Sequence, residues 1–325
     1  MILDLCVLHV CRSTDNSRHK KKKEKKKNLN LLKVISWNIN GLKEKLKDTK
    51  KTNQLLTILG DYDIVLLQEI HLGKKRLGKK EKKSEDNTIK YYLLDSDSDS
   101  ENQDEEAYTT KVINLFRTKG YDVEQLQDRT CQDLGGSEKK IYMTNFCSNS
   151  RGVAILVNKR HTCLKTFCED GDYAWVYVEI GDQRYTFVSA YYHPKEKSNL
   201  MMRILCSFLT QGSKAFKRPV IGGDFNTTLN YRLDKASTKD SAEHKSRRKS
   251  IREIMKTVNL IDVWRSKNPD KKDYTYACKK PMSRLDYVFM LEKDLHCVEN
   301  CDIWKDEDMV PELSDHYPMK LTLTI

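Results

Sequence analysis

Four short motifs end apolar runs of the chain with side chains that can do chemistry. They are SWNIN at 36–40, LLQE at 66–69, GGDFN at 222–226 and LSDH at 313–316. Strands that end at one edge of a sheet bring the polar residues that follow them together. We therefore expect the carboxylate, carboxamide and imidazole groups of these motifs to meet at one rim, where they would hold a divalent metal against a phosphate.

The acidic side chains in and near these motifs indicate a bound cation. Glu69, Asp224, Asp286 and Asp315 would repel one another if they were gathered without partners. Mg²⁺, with Mn²⁺ as a substitute, prefers oxygen ligands and shares its shell with substrate phosphates. His316 fits a general base, or a donor to phosphoryl oxygens, if a second acid orients its ring. The reaction class that these groups suit is metal-assisted phosphodiester hydrolysis.

The four motifs, together with SRLDY at 283–287, occur in an order that is typical of one superfamily. The chain from 31 to 325 resembles the endonuclease/exonuclease/phosphatase superfamily, which includes exonuclease III-like apurinic endonucleases, DNase I-like nucleases and the endonuclease domains of LINE-type retrotransposons. Each motif alone is a weak signal, but five in order are specific. The resemblance implies a DNase I-like α/β fold: a four-layer sandwich of two mixed, mainly antiparallel sheets, packed face to face with helices outside.

The resemblance also implies which residues hold the metal and the phosphate. Asn38 and Glu69 would belong to this site, Asp315 would be a further metal contact, and Tyr191 of SAYYHP would lie on the phosphate. The full set of implied metal contacts is Asn38, Glu69, Asp224, Asn226, Asp315 and His316.

The remaining implied roles are catalytic. Asp224 would activate the attacking water or protonate the leaving oxygen, and Asn226 would position the nucleophile. Asp286 would orient His316, as an acid orients the histidine of a hydrolytic triad. The full catalytic set is Tyr191, Asp224, Asn226, Asp286 and His316.

Details of the motifs favour the retrotransposon branch of the superfamily. Repair-type apurinic enzymes usually carry Asp where this chain has Asn40, and that change removes a charge near the metal. RGVAILV at 151–157, GGDFNTTLN with RLDKAS within 222–237, and LIDVWR at 260–265 also resemble this branch. We therefore expect an endonuclease that nicks one strand of DNA. The alternatives are an apurinic/apyrimidinic endonuclease or 3′–5′ exonuclease of base excision repair, and a catalytically inactive nucleic-acid-binding derivative.

The expected partner is double-stranded DNA, bound by a monomer that needs no cofactor besides the metal. The net charge of +12 arises from 59 basic and 47 acidic residues and suits a polyanion. The hairpin-like segment 274–284 is the candidate for backbone or minor-groove contact. Its predicted DNA-binding residues are Lys279, Lys280 and Arg284.

Composition divides the chain into a leader and one large domain. Residues 1–30 are predicted to be a disordered Lys-rich leader, and 31–325 to be the nuclease domain, with a charged low-complexity insertion at about 73–110. The apolar run at 1–10 is too short for a membrane span and lacks a basic n-region. Ten cysteines without paired CxxC spacing indicate reduced thiols. We expect an intracellular protein, nuclear or cytoplasmic, that is not secreted and does not contact a membrane.

Hydrophobic periodicity predicts the elements that must position the site. Predicted strands cover 32–38, 64–68, 152–157, 173–180, 185–191 and 319–325, with a hairpin turn at 181–183. Predicted helices cover 55–59 and 199–216, and a third contains Ile251, Ile254, Met255 and Val258 on one face.

Overall fold

The computed structural model describes residues 31–71, 121–125, 139–144, 151–169, 171–210, 217–237, 242–277, 281–306 and 310–325. The predicted leader and the charged insertion lie outside these residues, so both stay predictions.

Thirteen strands are assigned in the described part of the chain. In chain order they are β1 (Leu31–Asn38), β2 (Ile64–Gln68), β3 (Tyr121–Gln125), β4 (Lys139–Thr144), β5 (Val153–Val157), β6 (Thr162–Glu169), β7 (Tyr173–Ile180), β8 (Gln183–Tyr191), β9 (Pro219–Asp224), β10 (Leu260–Asp262), β11 (Asp286–Leu291), β12 (Val298–Ile303) and β13 (Met319–Thr324).

The helices lie between these strands. They are α1 (Leu42–Leu46), α2 (Thr49–Gly60), α3 (Leu200–Thr210), α4 (Ala242–Thr257), α5 (Val263–Lys267) and α6 (Val310–Leu313), with a 3₁₀ helix at Glu292–Cys297. No helix among the described residues combines the length and the apolar character that a bilayer crossing requires.

The strands form two sheets. One has seven strands in the order β12-β13-β1-β2-β5-β4-β3, and the other has six in the order β10-β11-β9-β8-β7-β6. The pairs β1–β2, β3–β4 and β8–β9 are parallel, and every other pair among these strands is antiparallel. The predicted pair of mixed, mainly antiparallel sheets is confirmed.

The two sheets pack face to face, and helices cover their outer faces. In β2, Ile64 and Leu66 belong to the core between the sheets, whereas Val65 and Leu67 belong to the core that α1, α2 and α6 cover. Burial on both faces explains why this strand is a continuous apolar run in the sequence. Each fully buried side chain of this size contributes about 1.5–3 kcal/mol.

The outer helices follow the predicted periodicity. Ile251 and Ile254 of α4 are buried against the second sheet together with residues of α3, and Met255 and Val258 pack at the edge of the same cluster. The N-terminus of α2 is capped by Asp48, whose carboxylate accepts hydrogen bonds from two backbone amides of the first turn. These helices complete the α/β/β/α layering that the sequence predicts.

A tight hairpin turn and one glycine shape the strands that carry the site residues. The β7–β8 hairpin turns through Gly181 and Asp182, because Gln183 already pairs with Ile180. At the end of β9, a Cβ on Gly222 would lie 2.7 Å from Leu66 Cδ1 and 2.9 Å from Ser36 Cβ. Gly222 therefore permits close approach of the two sheets just before Asp224.

Candidate active site

The predicted site residues lie at strand ends on one rim of the sandwich. The last residues of β1, β8 and β9 and the first residue of β11 meet there, because β11 runs antiparallel to β9. Residues just after β2 and β9 and just before β13 complete the rim. The structure brings together Asn38, Glu69, Tyr191, Asp224, Asn226, Asp286, Asp315 and His316.

Strand register places three of these side chains side by side. Asp224 is the register partner of Tyr191 on β8 and of Asp286 on β11. Directly opposite residues on antiparallel strands, such as Asp224 and Asp286, have their Cβ atoms about 4.5–5.5 Å apart. The two carboxylates and the phenol are thus fixed by the backbone ladder.

Asn38 links the two sheets at the rim. Its Nδ2 donates to Glu69 Oε1 at 2.9 Å and to Asp224 Oδ2 at 2.9 Å. Its Oδ1 accepts a hydrogen bond from the Asn40 amide at 3.0 Å. Asn38 is fully buried, so a neutral carboxamide satisfies one oxygen of each acid without adding charge.

Asp224 is the acid whose protonation is most strongly affected by its surroundings. Burial, followed by the charge of Asp286, raises the pKa of Asp224 to about 7, although His316 acts in the opposite direction. Asp224 Oδ1 accepts a hydrogen bond from the Asn226 amide at 2.8 Å, and Oδ2 is 3.3 Å from Asn226 Nδ2. A carboxyl with this pKa can take up or release a proton near neutral pH.

Asp286 and His316 form a buried acid–imidazole pair. His316 Nδ1 lies 2.8 Å from Asp286 Oδ2. Burial alone would lower the pKa of His316, but the charge of Asp286 and this hydrogen bond outweigh burial and raise the pKa to about 10. The backbone of Asp286 is held by Thr275 Oγ1, which accepts its amide at 3.1 Å. Trp37 Nε1 donates to the His316 carbonyl at 2.8 Å.

Tyr191 brings a phenol to the same acids. Its phenol lies beside Glu69, Asp224 and Asn226. Burial, together with the charges of Glu69 and Asp224, raises the pKa of Tyr191 far above its usual range. Tyr191 therefore remains a neutral hydrogen-bond donor.

Asp315 faces a carboxamide at one flank of the rim. Asn40 Nδ2 donates to Asp315 Oδ1 at 3.0 Å. The Lys45 ammonium hydrogen-bonds the Asn40 carbonyl oxygen. Burial lowers the pKa of Lys45 to about 8, while the charge of Asp315 opposes that shift. This flank therefore has a neutral side chain and a cation beside Asp315, rather than a second carboxylate.

The donor set fits a divalent cation. Ligand atoms of Asp224, Asp286 and His316 all lie within 4.8 Å of one another. Asp286 Oδ1 is buried and has no hydrogen-bond partner within the described residues. A cation beside these oxygens would satisfy that atom and offset the repulsion that raises the pKa of Asp224.

Three site residues that are not glycine have left-handed backbone conformations. The φ angles are 45° at Asn40, 49° at Glu69 and 46° at Asn226. Such residues are uncommon and cluster at functional sites, where the surrounding structure holds the strain. Here the conformation turns the chain immediately after a strand and keeps the polar side chains at the rim.

Comparison with known proteins identifies the family. The model of the endonuclease/exonuclease/phosphatase family matches residues 35–316, which span every rim residue described above. The chain belongs to this family.

Two solved structures share the family fold at low sequence identity. An AP endonuclease, LMAP, from Leishmania major superposes with a TM-score of 0.57 and 13% identity, covering 91% of this chain and 88% of that one. A 3′ phosphatase, NExo, from Neisseria, bound to a product DNA hairpin, gives a TM-score of 0.57 and 14% identity, covering 90% of this chain and 100% of that one. At these identities the likeness shows the fold alone.

A relative by sequence is a transposon protein. The uncharacterized 149 kDa protein of transposon TX1 from Xenopus laevis is 23% identical over 229 residues. The match covers 66% of this chain but only 17% of that protein.

One predicted DNA contact is wrong. Arg284 is fully buried: its Nε lies 2.9 Å from Asp234 Oδ1 and its Nη2 lies 2.6 Å from Asp262 Oδ2. The sequence shows the positive charge but not the two acids that surround it. Tyr276 pairs with Ser283, so the predicted hairpin has its base, while Lys279 and Lys280 lie outside the described residues.

The sequence analysis did not predict three residues that contact the site residues. His71 Nε2 contacts Glu69 Oε2 at 2.9 Å, Thr275 holds the start of β11, and Ser314 Oγ donates to the Asn38 carbonyl at 2.6 Å. His71 and Ser314 each lie within two residues of a predicted site residue, which was an available signal. Thr275 carries no such signal, because only tertiary structure brings it to Asp286.

Proposed function

We propose that this protein is a Mg²⁺-dependent endonuclease that nicks one strand of double-stranded DNA. The observation that carries the proposal is the convergence of Asp224, Asp286 and His316 at one rim, with Asn38 joining Glu69 to Asp224. Mn²⁺ would substitute, because it accepts the same oxygen ligands.

The acids of the rim would hold the metal. Glu69, Asp224 and Asp315 offer carboxylate oxygens, and Asn38 and Asn226 complete the proposed set. His316, the sixth predicted contact, is left out of this set because its imidazole is protonated at neutral pH and its Nδ1 faces Asp286. When bound, the metal supplies charge that stabilises the phosphate oxygens and lowers the pKa of a coordinated water. Tyr191, a neutral donor, would hydrogen-bond a non-bridging oxygen of the phosphate.

Asp224 would transfer protons in the reaction, and His316 would donate a hydrogen bond to the phosphate. With a pKa near neutrality in the metal-free site, Asp224 can accept a proton from the attacking water or protonate the leaving oxygen. Asn226, hydrogen-bonded to Asp224, would position the nucleophile. His316 is protonated at neutral pH, so it is suited to donate a hydrogen bond to the phosphoryl oxygens. Asp286 would hold that imidazolium through Nδ1.

The retrotransposon-type activity is supported by three observations. Asn40 stands beside Asp315 as a neutral amide, the excess of basic residues suits a polyanion, and the TX1 transposon protein is a relative by sequence. The proteins of similar fold include one whose structure holds DNA. Lys279 and Lys280 remain the proposed DNA contacts. The enzyme would act as a monomer inside the cell, in the nucleus or the cytoplasm.

A second candidate is an apurinic/apyrimidinic endonuclease or 3′–5′ exonuclease of base excision repair. The fold of the Leishmania AP endonuclease supports it, and the same rim residues would serve it. Asn40 argues against it, because the resemblance to repair enzymes implies Asp at that position. An inactive derivative is the third candidate, and the presence of every rim acid with His316 argues against that.

The experiment is cleavage of supercoiled plasmid and of a duplex with one abasic site, in Mg²⁺, by the wild type and by Asn40→Asp. Nicking of intact plasmid without preference for the abasic duplex supports the proposal. Strong preference for the abasic duplex supports the repair enzyme, and a gain of abasic cleavage in Asn40→Asp alone would locate the distinction at this residue.

A further inference from the structure

Both carboxylate oxygens of Glu69 have a hydrogen-bond partner. Oε1 accepts a hydrogen bond from Asn38 Nδ2 at 2.9 Å, and Oε2 lies 2.9 Å from His71 Nε2. The His71 and Glu69 side chains are 17% and 20% exposed, so the contact is screened from water on most sides. Because the Asn38 contact alone leaves the carboxylate free to rotate about it, the second contact fixes the carboxylate plane.

The His71 ring is itself fixed by the backbone around it. Gly41 passes so close that a Cβ there would lie 3.1 Å from His71 Nδ1. The Gly41 amide donates to the Glu69 carbonyl at 2.7 Å, and the His71 amide donates to the Arg151 carbonyl at 3.2 Å. His71 also has a left-handed φ of 52°. His71 thus has an unfavourable backbone angle, and it packs against Gly41, whose φ is 84°. The surrounding structure therefore holds the ring in place at a conformational cost.

We propose that His71 is a positioning residue for the metal site: its Nε2–H donates to Glu69 Oε2 and sets the orientation in which Glu69 offers its carboxylate to the cation. The inference rests on the proposed function, in which Glu69 is a metal contact. Partners that hydrogen-bond a metal-binding carboxylate orient it, and their removal costs metal affinity.

The opposite end of β2 provides a matched control. Asp63 immediately precedes β2, as Glu69 immediately follows it. His161 Nε2 lies 3.8 Å from Asp63 Oδ1, and its side chain is only 6% exposed. Like His71 and Glu69, these two residues are a histidine and a carboxylate, but they lie at the end of β2 that is remote from the rim.

The experiment measures Mn²⁺ affinity by calorimetry on the full chain without DNA, for wild type, His71→Ala, His71→Gln and His161→Ala. Loss of the donor in His71→Ala should weaken Mn²⁺ binding about 10- to 100-fold. His71→Gln, whose amide nitrogen can reach the Nε2 position, should stay within about threefold of the wild type. His161→Ala should leave Mn²⁺ affinity unchanged. The melting temperature of each variant in EDTA reports any purely structural effect.

A second variant tests the inference without altering His71 or Glu69. Gly41→Ala should displace the His71 ring and weaken Mn²⁺ binding, and the combination with His71→Ala should add little further loss of affinity. Wild-type affinity in His71→Ala, or equal losses in the Ala and Gln variants, would overturn the role of His71 while leaving the nuclease proposal intact. A wild-type protein that binds no Mn²⁺ would overturn both.

Discussion

Asp224 and Asp286 are register partners on the neighbouring antiparallel strands β9 and β11, so two carboxylates stand directly opposite each other. Like charges in that position repel. His316 Nδ1 lies 2.8 Å from Asp286 and therefore compensates one of them directly. Asp224, buried and without a cationic hydrogen-bond partner of its own among the described residues, has its pKa raised to about 7. The same backbone ladder thus gives two acids different partners and different tasks.

The first prediction concerns the stability of the metal-free protein. Below pH 3.8, Asp224 is protonated in both the folded and the unfolded state. As the pH rises to about 7, the folded state keeps a proton that the unfolded chain has released, so the free energy of unfolding falls. Above that pH the loss is complete. We expect Asp224 to account for a decrease of roughly 4 kcal/mol, measured by urea unfolding in EDTA between pH 4 and pH 8.

The matched variant for that measurement is Asp224→Asn, which removes the titrating group while keeping the shape of the side chain. Its free energy of unfolding should fall less over the same pH range. Saturating Mg²⁺ should stabilise the wild type more at pH 8 than at pH 5, because the cation binds the ionised acids. Parallel pH profiles for wild type and variant would contradict the assignment.

The second prediction concerns the acid–imidazole pair. Asp286→Asn replaces the charged acceptor of His316 Nδ1–H with a neutral one. The imidazole then binds its proton less tightly, and its ring loses the charged partner that orients it. We expect the single-turnover rate of plasmid nicking in Mg²⁺ to fall about 10³-fold with little change in fold. Asp182→Asn, in the exposed β7–β8 turn at the opposite end of the sheet, is the control and should cleave like the wild type. Equal rates for both variants would show that His316 needs no orienting acid.

The third prediction concerns the close approach of the sheets. Gly222→Ala would place a methyl carbon 2.7 Å from Leu66 Cδ1, in the core. We expect a loss of about 1–3 kcal/mol in the free energy of unfolding, together with reduced activity because Asp224 lies two residues on. Gly60→Ala is the control, since nothing lies within 4 Å of its added methyl group. Chemical denaturation of both variants checks the difference, and similar stabilities would contradict the packing argument.

The fourth prediction concerns the buried arginine. Arg284→Met removes the cation that Asp234 and Asp262 share, although Arg265 still pairs with Asp234 at 2.6 Å, so we expect a loss of about 3 kcal/mol in the free energy of unfolding. Lys279→Ala with Lys280→Ala should instead reduce DNA affinity and leave stability unchanged. Fluorescence anisotropy with a labelled duplex and thermal melting separate the two effects. A stable Arg284→Met protein that has lost DNA affinity would restore the original assignment of Arg284 to the interface.

The family resemblance predicted the layers, and local patterns predicted the strands and the polar residues at their ends. β2 is a continuous apolar run that ends at Glu69, and β7 was predicted with its observed bounds. The role of Arg284 could not be predicted, since RLDY reads the same whether the arginine faces solvent or two buried acids. His71 was also not predicted, because its contact with Glu69 depends on the left-handed turn after β2. Long-range pairing decides the contacts of Arg284 and has no local signature. The position of His71 two residues after Glu69 was a signal, but the backbone conformation that brings its ring to the carboxylate was not visible in the sequence.

Plasmid nicking tests the central claim most directly. Supercoiled plasmid is incubated with wild type, Asp224→Ala or His316→Ala, in Mg²⁺ or in EDTA, and open-circular product is quantified. We expect nicking by the wild type in Mg²⁺, no product in EDTA, and loss of activity in both variants even though they remain folded and bind duplex. Wild-type protein that binds duplex without cleaving it in Mg²⁺ or Mn²⁺ would contradict the account and indicate a nucleic-acid-binding derivative of the fold.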